Sequence, residues 1–63
     1  MKRFEIELLS KDGPTLVGAA VDAESALNVM DEAIRKYPDG HIRMTYGTKI
    51  VAERVPPRPL RNV

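Results

Sequence analysis

The chain has no cysteine, no tryptophan and a single histidine, His41. Without cysteine no disulfide can staple the fold and no thiolate can hold a metal. Aromatic side chains are limited to Phe4, Tyr37 and Tyr46. The core must therefore come from aliphatic residues, or be completed by a second subunit. No apolar run approaches the ~20 residues of a membrane-spanning helix. At the start, Met1-Lys2-Arg3 is basic, but Glu5 and Glu7 break any apolar stretch that follows, which argues against a secretory leader. Neither glycine-rich phosphate-cradling pattern, G-x-x-x-x-G-K or G-x-G-x-x-G, occurs. Together these absences lead to the expectation of a cytoplasmic, non-membrane chain without cofactor or metal.

Sixty-three residues suffice for one small domain. The net charge of +1 is unevenly placed. Through Glu53 the chain carries nine acids and seven bases; from Arg54 onward it carries three arginines and no acid. A mildly acidic body and a short basic tail lack the concentrated positive field of a dedicated nucleic-acid binder.

The strongest pattern lies in the middle of the chain. Ala26, Leu27, Met30, Ala33, Ile34 and Tyr37 recur at helical spacing and predict one amphipathic helix from about Ala23 to Tyr37. Asp22 is placed to cap its first turn, and Pro38-Asp39-Gly40 ends it. Glu24 near the start, and Arg35 and Lys36 near the end, complement the helix dipole. Asp31 to Arg35 and Glu32 to Lys36 are acid-before-base pairs four residues apart.

Strand patterns flank the helix. Phe4, Ile6 and Leu8 alternate with Glu5 and Glu7, and Lys11-Asp12-Gly13-Pro14 reads as a turn. Thr15 to Val21 reads as the return strand, with Gly18 either letting the helix approach or marking a bulge. After the helix, Ile42, Met44 and Tyr46 alternate with Arg43 and Thr45; Gly47 turns the chain into a last strand over Thr48–Val55. The expected fold is α+β, in two layers and the order ββαββ: a small, mainly antiparallel sheet with one helix on one face. Residues 1–55 form the domain, and 56–63, with Pro56, Pro57 and Pro59, form a flexible tail. The expected core is Phe4, Ile6, Leu8, Leu16, Ala20, Leu27, Met30, Ile34, Ile42, Met44 and Ile50.

Catalytic groupings are sparse. Ser10 and Ser25 lie in different elements from His41, so a serine triad is not expected. Glu5 and Glu7 share a strand face that alternates toward solvent, and Asp39 and His41 alone are too few ligands for a metal. Pro56-Pro57-Arg58-Pro59-Leu60-Arg61 fits the P-x-x-P-x-R pattern that SH3 domains recognise, a short pattern that proline-rich tails often match by chance.

The hairpin followed by Val21-Asp22-Ala23-Glu24-Ser25-Ala26-Leu27 resembles the strand-strand-helix core of HicB-type antitoxin domains, over about half the chain. The whole chain is similar to short bacterial ββαβ-type proteins without assigned activity. Neither resemblance implies a functional residue.

The function expected from the sequence is a non-catalytic protein–protein interaction domain, with self-association included. The alternative is a weak nucleic-acid-binding module that uses the sheet and tail, with Arg43, Lys49, Lys2 and Arg3 as its basic patch and Tyr46 as a stacking residue. The expected partner surface is the sheet face away from the helix: Leu9, Val51 and Val55 among Glu5, Glu7, Arg43 and Lys49.

Overall fold

The computed structural model describes residues 2–56. The chain runs β1 (Phe4–Ser10), β2 (Gly13–Ala20), α1 (Ala23–Lys36), β3 (His41–Tyr46) and β4 (Lys49–Arg54). The strands form one sheet in the order β2-β1-β3-β4, with every neighbouring pair antiparallel. One helix on one side of this sheet completes the two-layer α+β fold expected from the ββαββ order. The tail from Pro57 onward, with most of the proline pattern, lies outside the described residues.

Local chemistry sets the boundaries. The β1–β2 turn is centred on Lys11 and Asp12, and Gly13 follows at φ +109°, a conformation that side chains resist. The β3–β4 turn has Gly47 at φ +67° and no positive φ at Thr48, the signature of a type II′ turn. Asp22 caps the helix, its carboxylate accepting the Ser25 N–H at 2.8 Å. This bond to the charged form holds the Asp22 carboxyl below its ordinary value. At the other end Arg54 Nη1 donates to the Pro38 carbonyl at 2.8 Å, tying the post-helix turn to β4.

The buried core is Ile6, Ala26, Met30, Ala33, Ile42 and Met44, with Phe4, Leu8, Ala20, Ile34 and Ala52 packed around it. Ile6 and Ile42 are completely enclosed. Each such side chain contributes about 1.5–3 kcal/mol relative to exposure.

Three residues expected in the core are not there. Leu16 is 53% exposed, Leu27 57% and Ile50 52%. Two of these departures share one cause. In β2 the register against β1 shifts, so that Ile6 faces Gly18 while Glu7 faces Leu16, and Val17 is left over as a bulge. In β4 the register against β3 shifts likewise: Met44 faces Ala52, Thr45 faces Ile50, and Val51 is left over. One extra residue reverses the in–out alternation beyond it. Leu16 and Ile50 are thereby turned to the sheet face opposite the helix.

Leu27 has a different cause. Helix α1 lies over β2, β1 and β3 and does not reach β4. Val29 stands directly on Gly18 of β2, where any Cβ would overlap its γ1 methyl. That contact fixes the helix rotation. Leu27, about 160° around the helix from Val29, is left on the flank turned away from β2. The two acid–base pairs expected along the helix are also not formed: neither Asp31–Arg35 nor Glu32–Lys36 is among the ion pairs of the described residues.

Candidate interaction face of the sheet

The helix covers one side of the sheet, and no other element among the described residues covers the opposite side. The register places its residues in cross-strand rows. One row reads Leu16, Glu7, Arg43, Glu53 from β2 to β4. A second reads Ala19, Glu5, Thr45, Ile50, and a third Pro14, Leu9, His41. Glu5, Glu7 and Arg43 lie on the middle strands with Leu9, and the margins carry Leu16 on β2, Ile50 and Glu53 on β4, and Val55 just past β4 at 66% exposure.

The central charges satisfy one another. Arg43 Nη2 donates to Glu7 Oε1 at 3.1 Å. Both side chains are largely withdrawn from water, at 27% and 21% exposure, so this pair is less screened than a typical surface bridge. The buried Arg43 Nε has no hydrogen-bond partner among the described residues. Glu53 stands opposite Arg43 but turns diagonally to His41, whose Nε2 lies 2.5 Å from Glu53 Oε2. Arg3 Nε donates to Glu5 Oε2 at 3.3 Å. Each of the three carboxylates on this face therefore has a cationic or imidazole neighbour.

The expected partner surface is only partly reassembled. Leu9 and Arg43 lie on the open face by register, and Val55 is exposed beside it. Lys49 does not join them. It faces Tyr46, which shares the helix side with Met44 and Ile42 and packs against Phe4, the rings tilted by 46° at a centroid distance of 4.6 Å. Val51 is the bulge residue, 46% exposed and without a strand partner. Of the expected basic patch, Arg3 and Arg43 are engaged by glutamates, Lys49 and Tyr46 sit on the helix side, and the tail residues Arg58 and Arg61 lie outside the described residues. The sequence missed Leu16 and Ile50. Gly18 beside Val17 signalled the first bulge, and nothing in Lys49–Arg54 signals the second.

The two serines and His41 are engaged locally. Ser10 Oγ donates to the Gly13 carbonyl at 3.2 Å and accepts from the Asp12 N–H at 3.3 Å, which tightens the turn. Ser25 serves the helix cap through its backbone, and His41 faces Glu53. No cluster of three or more histidine or carboxylate groups suited to a metal occurs among the described residues. No described helix is long and apolar enough to cross a membrane.

Both outer strands are blunted as edges. Pro14 removes one backbone donor from β2, and each edge strand carries a bulge. A further strand would find neither edge straight, whereas the bare face offers a continuous surface. No family model, no curated protein and no solved structure matches the chain.

Proposed function

We propose that the chain is a non-catalytic protein–protein contact module that works through the open face of its sheet, with a second copy of the chain as its first partner. The observation that carries this reading is the pair of bulges. They move Leu16 and Ile50, more than half exposed, from the core side to the face the helix leaves bare. Large apolar side chains held on an uncovered surface favour burial against a partner, at about 25 cal/mol per Å² removed from water.

The charge pattern is compatible with covering this face. Glu7 is paired with Arg43, Glu53 with His41 and Glu5 with Arg3 inside one chain, so covering this face leaves no carboxylate without a neighbour. Six side chains among the described residues are buried, all between helix and sheet, and covering the open face would bury apolar surface on the other side as well. A dilution series of amide NMR spectra tests the reading. Concentration-dependent shifts at Glu7, Leu16, Arg43 and Ile50, with the helix unchanged, are expected. Spectra independent of concentration, or shifts centred on α1, would count against it.

A further inference from the structure

The helix and β2 do not stay in contact along their length. They come close where Val29 sits on Gly18, which has no side chain to hold them apart. Toward the helix C-terminus a cleft of about 390 Å³ opens between them, at the low end of the range of small-molecule sites. Its inner wall is apolar: Val17, pushed out as the β2 bulge, with Val29, Ala33 and Tyr37. Its rim is charged and comes wholly from the helix: Glu32, Arg35 and Lys36.

The state of these rim charges matters. Among the described residues none of the three makes an ion pair, although Glu32 and Lys36 are spaced for one. The rim thus presents two uncommitted cations against one carboxylate beside a half-buried apolar wall. Arg35 and Lys36 also complement the helix dipole, but that role requires only their position in the last turn and leaves their donors unused.

We infer that this cleft binds a small amphipathic anion, with its apolar body against Val17, Val29, Ala33 and Tyr37 and its carboxylate between Arg35 and Lys36. The bulge acquires a second role here, because it is Val17 that supplies the strand side of the wall. The cleft lies on the opposite side of the sheet from the contact face and stands independently of it.

Octanoate is a suitable probe, with octanamide as its uncharged counterpart, followed by amide NMR titration of the full chain. Saturable shifts confined to Val17, Val29, Ala33, Lys36 and Tyr37 are expected below about 10 mM, with octanamide binding about fivefold more weakly. Arg35→Gln with Lys36→Gln should weaken octanoate by a similar factor, while Glu32→Gln should tighten it. These exposed positions can change without loss of the fold, which spectral dispersion verifies directly. The inference is overturned by non-saturable or absent shifts, by shifts centred elsewhere, by equal affinity for acid and amide, or by rim variants that leave affinity unchanged.

Discussion

Gly18 and Val29 bring strand β2 and helix α1 into close approach: a Cβ on Gly18 would occupy the space of the Val29 γ1 methyl. Ordinarily alanine is preferred to glycine within a strand. Here the steric conflict outweighs that preference, because valine is stiff at χ1 and cannot swing aside. Gly18→Ala should destabilise the fold by about 1–3 kcal/mol in urea denaturation. Adding Val29→Ala should restore part of the loss. Purely additive effects of the two substitutions would show that the contact is looser than described.

Met30 and Leu27 should behave oppositely although both belong to the apolar stripe. Met30 is 7% exposed and Leu27 57%. Met30→Ala is expected to cost about 2–5 kcal/mol, enough to unfold much of the population of a domain this small. Leu27→Ala should cost less than about 1 kcal/mol, since it removes little buried area and alanine favours the helix. Thermal melts of the two variants check this ordering.

The helix boundaries and the alternation of β1 and β3 were legible because each depends on a local, unbroken period. Phe4, Ile6, Leu8, Ile42 and Met44 all face the helix as their alternation requires. Leu16 and Ile50 were not legible, because alternation is only a guide while the ladder is continuous, and one unpaired residue reverses it. Leu27 failed for another reason. Periodicity gives the apolar arc of a helix but not the width of the sheet beneath it, and α1 stops short of β4. Charge pairing of the open-face carboxylates was legible in the interleaving of Glu5, Glu7 and Glu53 with bases; the register decides the partners, Arg43 for Glu7 and His41 for Glu53, while Glu5 pairs with Arg3 two residues away.

Acid should remove the capping contribution of Asp22. Its carboxyl is held below its ordinary value, chiefly by the backbone hydrogen bond from Ser25 and then by side-chain bonding to the same residue. A depressed carboxyl stabilises the folded chain above its unfolded pKa of about 3.9, and the contribution is lost as pH falls through the lower folded value. Asp22→Asn should therefore melt below the parent at neutral pH, with the gap closing as pH drops below about 4. A gap independent of pH would assign the effect to something other than the charge.

The contact proposal is tested most directly by sedimentation velocity on the parent and on the double variant Leu16→Lys with Ile50→Lys. Both substitutions fall at exposed open-face positions, so the variant should remain folded by circular dichroism. The parent should sediment increasingly as a dimer as its concentration rises, and the variant as a monomer throughout. A parent that stays monomeric at the highest concentration, or a folded variant that dimerises as strongly as the parent, would contradict the assignment of the open face as the contact surface.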